Sequence, residues 1–220
     1  MNVKLISYSK PAEGDLDASD LVAYCARVSN PSNQNNTETS DRLLSYLIRE
    51  KHWSPFEMVS ACLEITTTRD IARQILRHRS FSFQEFSQRY ADPAADLSIN
   101  LFREARFQDT KNRQNSIELD SDQADISYEW MKKQAEVAIA VKNSYQWATE
   151  KGIAKEQVRA IFPEGMTESR LYMNGTIRSW MHYIELRSGN GTQKEHREVA
   201  IACREALEPI FPFMKKITSD

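Results

Sequence analysis

Between Val59 and Arg79 the apolar period changes from two to nearly four, and that switch constrains the fold more than any other feature of the 220 residues. Val59, Ala61, Leu63 and Ile65 alternate with Ser60, Cys62, Glu64 and Thr66, and a threonine run ends the stretch. Such alternation, rich in β-branched residues, predicts a half-buried strand over 59–68. From Arg69 to Arg79 the apolar positions are Ile71, Ile75 and Leu76, which predicts a helix directly after it. Around this pair the chain reads as mixed. A strand is expected over 3–8, a helix over 17–28 capped by Asp17 or Ser19, and a polar loop over 30–37. Ser40 opens a second helix that must stop near Trp53, because Pro55 follows. Residues 91–123 are polar and aperiodic, a long loop. Ser121 or Asp122 then opens a long helix to about Lys151, ended by Gly152, with Ile126, Trp130, Val137, Val141 and Ala148 marking its buried face. A short helix over 155–161, a strand over 168–173 and helices over 176–186 and 193–207 complete the chain. With no internal repeat and no linker, the pattern fits one mixed α+β domain spanning 1–220.

Charge narrows the function. Net charge is -2 with 29 basic and 31 acidic residues, so whole-protein attraction to nucleic acid or acidic membrane is not expected and anion binding must come from local clusters. No run is long enough to span a bilayer, and MNVKLISYSK lacks a signal peptide's apolar stretch. Cys25, Cys62 and Cys203 are odd in number and form no CxxC pair. The expectation is a cytoplasmic protein with reduced thiols, no membrane partner and no nucleic-acid partner.

The chemistry concentrates between Arg69 and Tyr90. Arg69, Arg73 and Arg77 recur every four residues and are expected to share one helix face, and Arg79 and Arg89 extend the set while only Asp70 and Glu85 offset it. A solvated face with surface ion pairs explains many arginine runs. Here Arg77, His78 and Arg79 are consecutive and cannot share one exposed stripe, and SFSFQEFS interleaves phenylalanines with polar groups. Guanidinium forks beside a half-buried aromatic turn call for an anion, and their planar geometry matches phosphate. Arg159, Arg178 and Arg187 lie far off; Arg187 sits where a helix C-terminus alone would favour it, or else both sets converge on one polyanionic ligand. There is no GxxxxGK[ST] loop, and Gly189-Asn190-Gly191 lacks the third glycine and preceding strand of a dinucleotide fingerprint. The four histidines show no metal-ligand spacing.

Arg77-His78-Arg79, seven residues, then Ser87-Gln88-Arg89 resembles the RHR-x7-S-x-R signature of the flavin-dependent thymidylate synthases. Ala26-Arg27-Val28-Ser29 is similar to that family's ARVS segment, His52 through Glu57 to its H-x-[ST]-P-F-E segment, Ala72-Arg73-Gln74 to the residues before the signature, and Leu186-Arg187 and Gln193-x-Glu195 to its late elements. The resemblance implies an α+β fold with a small antiparallel sheet and packed helices. It also implies a homotetramer with active sites at subunit interfaces, and FAD as cofactor. By it, Ser29, Ser54, Glu57, Arg77, His78, Arg79, Gln84, Glu85, Arg178 and His182 would hold FAD. Gln74, Arg77, Glu85, Phe86, Ser87, Gln88, Arg89, Arg159 and Arg187 would hold dUMP, and His52 would lie near the folate.

The implied reaction is reductive methylation of dUMP to dTMP, with 5,10-methylenetetrahydrofolate giving the carbon and NADPH the reducing equivalents through FAD. Uracil C5 is a poor nucleophile. No cysteine has an adjacent histidine to activate a thiolate for attack on C6, and only Cys203 adjoins an arginine. Arg187 is the expected catalytic residue, stabilising charge on the uracil ring. Ser87 lacks a recognisable base and is expected to bind rather than attack. Two rivals remain at this level: a non-catalytic single-stranded nucleic-acid or nucleotide binder using the arginine–aromatic stretch, and a metal-dependent nucleotide hydrolase using His78.

Overall fold

The structure, a computed structural model, describes residues 1–89 and 101–218; the part of the expected loop before residue 101 lies outside them. Strands β1 (Asn2–Tyr8), β2 (Ser60–Thr68), β3 (Ser82–Glu85), β4 (Arg106–Gln108), β5 (Ser116–Glu118) and β6 (Glu168–Thr176) alternate irregularly with helices. The helices are α1 (Ala18–Ala26), α2 (Ser40–Arg49), α3 (Arg69–Ile75), α4 (Ala124–Glu150), α5 (Lys155–Val158), α6 (Ile177–Arg187) and α7 (Lys194–Leu207). The α+β expectation holds. Four strands form one sheet in the order β1-β2-β6-β3, and β4 pairs antiparallel with β5, Phe107 opposite Ile117. The expected loop over 91–123 thus carries a hairpin in its second half.

Two compact units divide the chain, which after Met1 passes between them inside β2, at the end of α3, and inside β3 and β6. The first comprises Met1, Thr66–Ile75 and Glu85–Leu171. In it, Thr68 and Asp70 at the entry to α3 receive bonds of 2.8 and 2.7 Å from Arg103, whose backbone exchanges hydrogen bonds with the Gln134 amide on α4. Along α4 the buried residues are Gln134, Ala138, Val141 and Ala148, one helical face. Ile126, Trp130 and Val137, expected on that face, are 46%, 44% and 44% exposed. The apolar residues of α4 exceed what one stripe can cover, and periodicity alone does not say which stripe is buried. Gly152 ends the helix in a left-handed conformation, as its position predicts.

The second unit comprises Asn2–Ile65, Leu76–Gln84 and Tyr172–Asp220. Its core is built from Leu44, Phe56, Leu63, Ile65, Met173, Ile177, Trp180, Tyr183 and Phe211, each at most 1% exposed. Buried Arg27 ties the polar stretch after α1 in place, donating to the Asn36 carbonyl and the Thr39 hydroxyl. Helix α2 closes in a Schellman arrangement, with His52 N–H bonded to the Leu47 carbonyl and Lys51 N–H to that of Ile48. Lys51 occupies the left-handed position (φ 57°) where glycine is usual. At Gly175 a Cβ would stand 2.4 Å from Phe81 Cδ1, so only glycine lets β6 approach that ring.

Candidate active site

The helix expected over 69–79 ends at Ile75. Arg77 therefore leaves the face shared by Arg69 and Arg73, and Arg77, His78 and Arg79 lie on the turn leading to β3. The expectation of a common face is corrected: the RHR stretch is held by tertiary contacts, which override its helical propensity.

In the second unit those contacts centre on His78. Arg187, the last residue of α6, donates from Nε to His78 Nε2 at 2.9 Å. Arginine does not deprotonate, so Nε2 is the acceptor and the imidazole is neutral with its proton on Nδ1. Burial, then the cations of Arg187 and Arg77, holds the His78 pKa down to about 4, which agrees with that assignment. Among the described residues Arg187 meets no carboxylate, and neither Arg77 nor Arg79 has a partner. Behind His78, Tyr183 and His196 are buried and bonded to each other at 3.1 Å.

A second cluster in this unit surrounds Glu57, on the 3-10 turn after Trp53. The Thr176 hydroxyl donates to it at 2.6 Å and Arg178 at 2.5 Å. Chiefly through the Thr176 bond, and against burial, its carboxyl is held below the ordinary range. Thr176 reaches it because the same hydroxyl caps α6, accepting from Ser179 N. Arg178 Nε is buried without a partner. Trp53 stands edge-on to His182 at 4.9 Å and His52 edge-on to Tyr46 at 6.2 Å. Ser29, Ser54 and Gln84 are exposed.

In the first unit, Arg69 is half-buried, and burial draws its pKa down against the opposing charges of Glu85 and Glu164. Glu85 accepts from the Ser169 hydroxyl at 2.7 Å, and Phe86 N–H bonds to the Arg170 carbonyl. Gln74 and Ser87 are half-buried. Gln88 is 4% exposed, yet its Nε2 has no partner among the described residues, an unusual cost for a buried amide. Arg89 is exposed and faces Glu156 at 3.7 Å, while exposed Arg159 pairs with no carboxylate among the described residues. Arg73 meets Glu164 at 3.4 Å.

Sequence reasoning gave no site role to Tyr183, His196 or Ser169, and named Arg69 only as part of the arginine cluster. Tyr183 and His196 lie on apolar helix faces and read as core; Arg69 was visible as the first arginine of the run. Burial raises the pKa of all three cysteine thiols, the opposite of activation. No group of three or more His, Cys, Asp or Glu among the described residues could hold a metal ion, and no helix is long and apolar enough to cross a membrane.

On this α+β scaffold, an arginine that meets no carboxylate among the described residues and is held by a neutral imidazole suits an anionic ligand. Residues 4–213 match the family model described as thymidylate synthase complementing protein. The chain is 51% identical over 217 residues (98% of each chain) to a probable flavin-dependent thymidylate synthase of Paramecium bursaria Chlorella virus 1. It is 50% identical, over 96% of each chain, to the flavin-dependent thymidylate synthase of Synechocystis. Among solved structures it resembles a UMP/dUMP methylase, PolB from Streptomyces cacaoi bound with 5-Br dUMP, with TM-score 0.77 and 25% identity over 98% of this chain and 93% of that one. The chain belongs to the flavin-dependent thymidylate synthase family. Relatives so named do not favour the reading of its arginine–aromatic stretch as a non-catalytic binding module.

Proposed function

We propose that the chain catalyses the reductive methylation of dUMP to dTMP. The carbon donor is 5,10-methylenetetrahydrofolate and the reductant is NADPH acting through FAD. The observation that carries this reading is the Arg187 guanidinium, oriented by a neutral histidine and left with its full charge.

The donor set fits FAD. Among the described residues Arg77 and Arg79 have no partner, and Arg178 carries an orphaned buried Nε, which suits a pyrophosphate in need of cationic donors. Ser29, Ser54, Glu57, Arg77, His78, Arg79, Gln84, Glu85, Arg178 and His182 are the proposed holders, with Glu57 fixing Arg178. When bound, FAD supplies the reducing equivalents that convert a methylene into a methyl group.

For dUMP the proposed residues are Gln74, Arg77, Glu85, Phe86, Ser87, Gln88, Arg89, Arg159 and Arg187. Gln88 Nε2, without a partner among the described residues, and Arg159, which meets no carboxylate among them, support that assignment. Arg187 stabilises negative charge on the uracil ring as the carbon bond forms, a preorganised-donor effect. His52 lies on the folate side. No protein thiol adds to the ring, in keeping with the raised cysteine pKa values. The sites are built at subunit interfaces of a cytoplasmic homotetramer.

The test is Arg187→Ala. The purified variant keeps its flavin absorption and loses dTMP formation; retained turnover refutes the catalytic assignment. Ser87→Ala weakens dUMP binding yet retains turnover at saturating dUMP. Complete inactivity with dUMP still bound would make Ser87 a reacting group.

A further inference from the structure

Behind the His78–Arg187 bond stands a buried polar pair to which the reading above gives no part. Tyr183 and His196 are 1% and 0% exposed, and their hydroxyl and Nε2 lie 3.1 Å apart. They come from α6 and α7, and burying them costs desolvation that an apolar pair of the same shape would avoid. The Tyr183 ring meets that of His78 edge-on, with centroids 4.9 Å apart and planes at 89°; His196 lies 6.2 Å from His78 at 83°. Tyr183 also precedes Arg187 by four residues on α6, so ring and guanidinium stem share one helix face.

Three elements thus meet at one torsion. An imidazole turns about χ2 between broad, roughly two-fold wells, and half a turn would set a C–H where Nε2 now accepts from Arg187. The Tyr183 ring stands edge-on against the imidazole, and its hydroxyl is bonded to His196. We propose that Tyr183 and His196 are positioning residues for the methylation reaction: they fix the His78 ring so that its Nε2 holds Arg187 by a neutral hydrogen bond. A carboxylate in the place of His78 would orient the guanidinium equally well but would cancel the charge that the reaction uses. Both histidines are held neutral, His196 at a pKa of about 3, by burial and then the Arg187 charge, with smaller contributions from His78 and Arg77. The arrangement is therefore unchanged across the physiological range. This inference rests on the proposed role of Arg187.

The test is a double-mutant cycle in the FAD-loaded enzyme. Tyr183→Phe keeps the ring and removes the hydroxyl; it is expected to retain flavin and to lower kcat about ten-fold, since a displacement of about 1 Å in a positioned group costs up to about a hundred-fold. Arg187→Lys removes Nε and lowers kcat by itself. In that background Tyr183→Phe should change kcat by less than about two-fold, because residues acting through one contact are not additive. Multiplicative effects, or an unchanged kcat in Tyr183→Phe alone, overturn the positioning role and leave that of Arg187 intact. Full activity of Arg187→Lys sinks the role of Arg187 instead. If Arg187→Lys is too inactive to measure, a crystal structure of Tyr183→Phe decides: a broken Arg187–His78 contact supports the proposal and an intact one overturns it.

Discussion

Gly175→Ala probes how tightly β6 is fitted to the turn that carries the RHR stretch. The new Cβ would stand 2.4 Å from Phe81 Cδ1 and 2.7 Å from Cε1, against the roughly 3.5–4.0 Å of an ordinary carbon contact. The ring must therefore give by about 1 Å. It has little room, because Phe81 packs edge-on to Trp180 at 4.8 Å and lies 6.0 Å from the Tyr183 ring, and both of those residues are buried. Overpacking of this kind costs about 1–3 kcal/mol, and disturbing an edge-to-face pair adds about 0.5–1.5 kcal/mol. A total of about 2–4 kcal/mol corresponds to a loss of about 5–15 °C in Tm for a chain of this length. Differential scanning fluorimetry at fixed protomer concentration, which mass action requires, reads the shift. Adding Phe81→Leu, which shortens the side chain at the point of collision, should restore part of it. A Tm within about 1 °C of the parent would refute the reasoning, as would a double variant no more stable than Gly175→Ala.

Three further outcomes follow from the same geometry. Lys51→Gly relieves a left-handed lysine at the end of α2 and should stabilise the fold by about 1 kcal/mol in urea unfolding; a loss would show that the lysine side chain contributes there. Thr176→Val removes both the cap of α6 and the hydroxyl bonded to Glu57, so it should lower stability by about 1 kcal/mol and raise the Glu57 pKa, read by carboxyl NMR. An unchanged Glu57 pKa would deny the Thr176 bond its leading part. The folded-state pKa values of His78 and His196, about 4 and about 3, lie below the ordinary 6.5. The unfolded chain thus binds more protons in mild acid, and stability falls as pH drops from 6.5 through those values. His196→Gln removes one of the two groups and should flatten the pH dependence of Tm in that window; an unaltered slope contradicts the burial argument.

How far the sequence carried this account depends on where each signal resides. The β2–α3 junction was legible because alternation and a helical period are local properties of consecutive residues. Arg77 was misplaced onto the face of α3 because nothing local stops that helix at Ile75: there is no proline or glycine, and the turn is held at His78 by an arginine 109 positions later in the chain. The long helix was found, but its buried stripe was misread, since Trp130 and Val137 are as apolar as Val141 and lie in the open. The hairpin within the expected loop escaped because its strands have three residues each, too few for a period to show. Among site residues, the RHR-x7-S-x-R spacing stood out as a motif, whereas the Tyr183–His196 pair did not. Its members sit on separate helices, and each alone looks like packing.

The central claim is that this chain methylates dUMP with reducing equivalents passed through a bound flavin and without a protein thiol. Its most direct test is the Cys25→Ser, Cys62→Ala, Cys203→Ala variant loaded with FAD, given dUMP, 5,10-methylenetetrahydrofolate and NADPH, with the nucleotide identified by mass spectrometry. The account predicts dTMP at close to the parent rate, with NADPH consumption that depends on dUMP. A variant that folds and keeps its flavin yet yields no dTMP would contradict it.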